Sequence, residues 1–128
     1  MKLLLWWEVS KNKSMSLENF LTKLKTQQKD IEFSESMSVI EENYNFTPTS
    51  FTNGILKNEK GENSGSCKLF AFAIQQNLSK EEALACFGSY YFKEVLIDAA
   101  GNGHQNIRNF MKTGFEGLEF SEFPLTKK

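Results

Sequence analysis

The sequence predicts a mainly α protein, a compact bundle of about five helices with a short extended element or hairpin set among them. Two observations carry this. Apolar residues recur at three- and four-residue spacing in five separate stretches, most of them bracketed by helix-start or helix-stop residues. Between the second and third stretches the period is lost, and residues 45–58 hold Pro48 and an Asn53-Gly54 pair instead. With 128 residues, 40% of them hydrophobic, the chain has the length for one domain with its own core. Residues 1–14 read as an extension outside that core, 15–123 as the helical domain and 124–128 as a tail.

The first helix opens at Ser16, a capping residue, and buries Leu17, Phe20, Leu21 and Leu24 on one face. Asp30 and Ser34 are the candidate caps of a second helix, whose stripe is Phe33, Met37, Ile40 and Tyr44. The link is short, so the two should pack as an antiparallel hairpin. Residues 45–52, NFTPTSFT, break the pattern: Pro48 drives Thr47 extended, and Asn53-Gly54 then signals a tight turn. After a polar loop a third helix begins near Ser66. It is apolar around most of its circumference, which places it at the centre of the bundle. Ser79 and Glu82 have capping-box spacing for a fourth helix, which runs through Ala83, Leu84, Phe87, Tyr91 and Val95 with Gly88 as a bend. The last helix spans about residues 104–113, and Gly114 stops it. An extended segment follows, with Leu118 and Phe120. Phe70, Ala71, Ile74, Leu84, Phe87, Phe110 and Leu24 are the expected core.

Charge and cysteine content exclude several function classes. Fifteen Lys and Arg balance sixteen Asp and Glu, and Arg108 is the sole arginine, so the basic stripe that nucleic acid rewards is missing. Two cysteines and one histidine cannot furnish the four ligands of a structural zinc site. There is no GxxxxGK[ST], GxGxxG or HExxH pattern, and no metal or cofactor is expected. The opening MKLLLWW is too short an apolar run for a signal peptide or an integral membrane segment. Two thiols in apolar helical patterns suit a reducing compartment.

Three polar residues carry candidate chemistry. Cys67 sits at a helix start, where unpaired amides favour a thiolate. With His104 and Asn106 it completes the element list of a Cys-His-Asn site for hydrolysis or acyl transfer. GSCKLFAFA resembles the helix start around a papain-type nucleophile, although the chain is far too short for that fold. The plainer reading buries Cys67 on the face of Phe70 and Ala71, and makes His104 a cap. Arg108 suits an anionic ligand, a bidentate pair with a carboxylate such as Asp98 or the Glu41–Glu42 pair, or a set of loop carbonyls. Asn53, Asn63, Ser66 and Arg108 form the candidate ligand-binding set. It requires the 53–66 loop and the His104 helix start to meet, so that two helix starts aim free amides into one region.

FTNG at residues 51–54, GSCKLFAFA at 65–73, LSKEEALACFGSYY at 78–91 and HQNIRNFMKTG at 104–114 together resemble the HopJ type III effector family. The likeness runs from about Leu17 to Phe120 and leaves the first residues outside. It implies a small bacterial protein, placed in the cytoplasm, with effector secretion not indicated by any signal peptide. The family brings no established activity or cofactor to carry over. It marks Asn53, Gly54, Asn58, Gly61, Asn63, Gly65, Ser66, Cys67, His104, Asn106, Ile107 and Arg108 as the positions to follow. Ala99-Ala100 stands where the family typically has a proline, which loosens that turn. Binding of a protein or a small polar or anionic ligand is the leading expectation. A cysteine-dependent enzyme and a purely structural or assembly role are the alternatives.

Overall fold

A computed structural model describes residues 16–128; the expectations for residues 1–14 lie outside the described residues. Helix α1 covers Leu17–Thr26, and the Ser16 hydroxyl caps it by accepting from the Asn19 amide at 3.1 Å. A 3₁₀ turn follows at Gln28–Asp30, then helix α2 at Phe33–Asn43. Its cap is neither Asp30 nor Ser34. Glu32 takes that place in a capping box with Glu35, whose carboxylate accepts from the Glu32 amide at 2.9 Å. Glu35 also receives Lys23 of α1 at 2.9 and 3.0 Å, tying the two helices together.

The extended content is larger than the sequence suggested. Five short strands make the protein mixed α/β rather than a purely helical bundle. Strand β1 (Tyr44–Phe46) pairs antiparallel with β5 (Leu125–Lys127), and β2 (Phe51–Asn53) lies between β3 (Leu56–Asn58) and β4 (Leu118–Phe120). The β2–β3 pair is the hairpin foreseen at Asn53-Gly54. Residues 124–128 are no free tail: Leu125 is buried, and β5 closes against the end of α2. Strands of three residues give too little alternation to be seen along the chain.

Helix α3 (Ser64–Gln75) runs through the centre, starting two residues earlier than expected. Leu69, Phe70, Ala71, Phe72 and Ala73 are all fully buried. Ile74, placed in the core by periodicity, is 39% exposed, because it lies in the last turn where the surrounding elements end. The Phe70 ring touches three others, with centroids 4.8 Å from Phe110, 5.5 Å from Phe87 and 6.4 Å from Phe51.

Helix α4 (Lys80–Ala85) has the foreseen Ser79–Glu82 box, yet it is only six residues long. Gly88 ends the stripe. Its φ of +61° is left-handed, and a Cβ there would sit 2.8 Å from the Ile31 carbonyl oxygen and 2.8 Å from the Phe33 nitrogen. The chain then continues as a π-helical segment, Tyr90–Val95, in which bonds span five residues and the side-chain phase shifts. Gly88→Ala is expected to destabilise the protein by about 2–3 kcal/mol, since the strain of a left-handed alanine adds to a clash with backbone that cannot swing aside. Urea denaturation monitored by circular dichroism measures it.

Helix α5 spans Gln105–Thr113, and Gly114 terminates it with φ +61° as expected. A 3₁₀ turn at Gly114–Gly117 leads into β4. Among the described residues, no helix is long and apolar enough to cross a membrane.

Candidate ligand pocket between two helix starts

Helices α3 and α5 begin in the same way. The residue before each, Asn63 or His104, is left-handed with φ of +51° or +55°, and neither side chain caps its helix. Asparagine tolerates that conformation well, and histidine less often. In α3 the first helical hydrogen bond is Cys67 N–H to the Asn63 carbonyl at 3.0 Å, and in α5 it is Arg108 N–H to the His104 carbonyl at 3.1 Å. The amides of residues 64–66 and 105–107 precede those bonds and have no partner within their helices.

A buried asparagine cluster brings the two starts together. Asn106 lies in the first turn of α5, 6% exposed; Asn53 and Asn58 on the β2–β3 hairpin are sealed. Asn53 Nδ2 donates to the Asn106 carbonyl at 2.7 Å and to Asn106 Oδ1 at 3.0 Å. Asn58 Nδ2 donates to Asn106 Oδ1 at 3.3 Å, while Asn58 Oδ1 accepts from Asn106 at 3.0 Å and from Asn63 at 2.7 Å. Amides suit this place because each side chain both donates and accepts, so a closed network forms without burying charge. Asn53 Oδ1 alone has no partner among the described residues.

Beside the cluster opens a cavity of about 530 Å³. Asn63, Gly65 and Ser66 of the α3 start line one side, and His104, Gln105, Asn106 and Ile107 of the α5 start line another. Phe33, Phe87 and Tyr90 supply the aromatic part, with Leu56 from β3. Phe33 stacks with Phe87 at 6.1 Å and meets Tyr90 edge-on at 5.3 Å, and Tyr90 lies 5.2 Å from the His104 ring. Gly65 lets Phe33 press against α3, since a Cβ there would lie 3.0 Å from Phe33 Cζ. His104 Nε2 is 2.8 Å from Glu94 Oε1, a residue carried by the π-helical segment.

The predicted site residues therefore separate into three groups. Ser66, Asn63, His104 and Asn106 meet at the cavity, as the helix-start argument required. Asn53 supports it from behind through Asn106. Cys67 and Arg108 do not line it. Cys67 is 1% exposed, and burial pushes its thiol up to about 11, outweighing the lowering effects of the Thr49 backbone amide and Lys68. Arg108 donates from Nε to the Gly103 carbonyl at 2.5 Å and from a terminal nitrogen to the Ala99 carbonyl at 3.3 Å, so it holds the turn before α5. One helix position separates Ser66 from Cys67, and that rotation of about 100° decides which one reaches the cavity. Native protein should leave Cys67 unreactive to an aromatic disulfide reagent at pH 8, where burial keeps the thiol enclosed and protonated, and release it only on denaturation. Fast labelling of the native chain at Cys67, mapped by mass, would contradict that burial.

Glu94, Tyr90, Phe33 and Leu56 were missed by sequence reasoning. Tyr90 lies off the apolar stripe, and Glu94 gains its place only because the π-helical segment turns it toward His104. No group of three or more metal-ligating side chains occurs among the described residues.

Four sequence blocks, two left-handed helix starts and the asparagine cluster define a small mixed α/β protein with a part-polar, part-aromatic cavity between the starts of α3 and α5. The family model described as HopJ type III effector protein matches residues 17–125, and the chain belongs to that family. A comparison with the curated proteins found no match. Among solved structures the chain is similar to one titled as the unknown-function protein VPA0580, at 51% identity and a TM-score of 0.87, covering 90% of this chain and 96% of that one.

Proposed function

We propose that this HopJ protein binds a small polar molecule with a flat apolar body in the cavity between the starts of α3 and α5. The supporting observation is the cavity's make-up: about 530 Å³, two first helical turns on its walls, and a run of three aromatic rings leading to His104. That volume is in the range of small-molecule sites, and such sites combine an apolar wall with a few placed polar groups. The rings would take the flat part of the ligand, and the helix-start amides a carbonyl or carboxylate oxygen. Among the described residues no lysine or arginine lines the cavity, so a monoanion or a neutral polar group suits it better than a phosphate dianion.

A fragment screen by ¹H–¹⁵N NMR, using small aromatic acids, amides and esters, tests this reading. Amides of residues 63–66 and 104–107 should shift together. Ser66→Phe should fill the space and weaken any hit by about tenfold or more, about 1.4 kcal/mol. Hits that map elsewhere, or that Ser66→Phe leaves unchanged, would remove the pocket as the binding site.

A further inference from the structure

Building on that pocket reading, we propose that the cavity also hydrolyses esters of small apolar acids, with Ser66 as nucleophile, His104 as its base and Glu94 as the residue that positions the imidazole. Three placements support it. Ser66 is half-buried on the cavity wall in the first turn of α3, whereas the neighbouring Ser64 hydroxyl turns to the Gly61 carbonyl. His104 lines the same cavity from the start of α5. Glu94 Oε1 accepts from His104 Nε2 at 2.8 Å, which fixes the ring and leaves Nδ1 as the nitrogen available to take the Ser66 proton. Ser66 and His104 share this cavity without a direct hydrogen bond between them, and with Glu94 they supply the residue types that acyl-transfer chemistry uses as nucleophile, base and orienting carboxylate. The buried Cys67 next in the chain has no part in it.

The step balances with water as the only co-substrate. Ser66 Oγ attacks the ester carbonyl carbon, forming an Oγ–C bond as its proton passes to His104 Nδ1. Nucleophile–base contacts in free proteins commonly tighten only with substrate, and the transfer can cross one water. The oxyanion faces the unpaired amides of the α3 first turn. Collapse breaks the C–O bond, and the departing alcohol takes the proton from His104. A water then attacks the acyl-serine, giving its proton to His104, and the Oγ–C bond breaks to release the acid as Ser66 regains a proton. The aromatic wall of Phe33, Phe87 and Tyr90 selects the acyl group.

The test uses the whole chain with two probes, p-nitrophenyl benzoate turnover and labelling by a fluorophosphonate with peptide mass mapping. Turnover should fall by about 10²–10⁴-fold in Ser66→Ala and by about 100-fold in His104→Gln, and the phosphonate adduct should sit on Ser66. Glu94→Gln should displace the pH–rate profile, with Glu94→Asp recovering part of the rate, an effect that a merely structural carboxylate would not produce. NMR spectra establish that each variant folds, and Ser66→Gly serves if Ser66→Ala does not. Turnover in Ser66→Ala within about twofold of the parent, or an adduct on another residue, overturns the proposal. Fragment binding without any Ser66 adduct overturns the hydrolysis and leaves the binding site standing. Absence of both removes the pocket reading itself.

Discussion

Phe70→Ala is expected to cost about 3–5 kcal/mol, the range for deleting a fully enclosed phenylalanine. The ring is 0% exposed and packs against Phe51, Phe87 and Phe110, which belong to β2, to the end of the α4 region and to α5. Alanine would leave a void bounded by three rings that are each held by other contacts, so little collapse can refill it. Aromatic pairing adds a loss beyond buried area. In a domain of this size the melting temperature should drop by roughly 10–20 °C. Urea unfolding with a parallel thermal scan measures both quantities. A loss below about 1 kcal/mol would mean that the centre of the protein is loosely packed.

Asn106→Leu is the second large effect, expected at about 3–4 kcal/mol even though the two side chains have similar volumes. Three hydrogen bonds disappear together: Asn53 and Asn58 each lose an acceptor at Asn106 Oδ1, and Asn58 Oδ1 loses the Asn106 donor. Their partners stay buried, and stranding a buried polar group costs about 1–3 kcal/mol before any new packing is credited. The Asn53 bond to the Asn106 carbonyl survives, as does the Asn63 bond to Asn58. Those remaining contacts should keep the fold while loosening the hairpin against α5. Hydrogen exchange should therefore accelerate locally, at the β2–β3 hairpin and the α5 start, more than in α1. A double-mutant cycle with Asn58→Ala should show strong coupling, because the two residues share bonds in both directions.

The sequence by itself determined the helices and most of their limits. The Ser16 cap, the Ser79–Glu82 box and the Gly114 stop are local chemistry, satisfied within a few residues, and they stand where the chain placed them. The all-round apolar character of α3 likewise put it at the centre, because only an interior position buries every side of a helix. The meeting of the residue 53–66 loop with the His104 helix start was legible too, since glycine and asparagine turns before two helices need partners for their free groups. Tertiary structure alone decided the rest. Strands β1 and β5 are separated by most of the chain, and their pairing energy comes from residues that no local window contains. The exchange of Cys67 for Ser66 at the cavity depended on a single helix position, a phase set by where α3 begins. Glu94 reached His104 because Gly88 turned left-handed against Ile31 and Phe33 and the chain resumed as a π-helical segment. Periodicity describes one helix at a time, whereas a pocket is made where several of them meet.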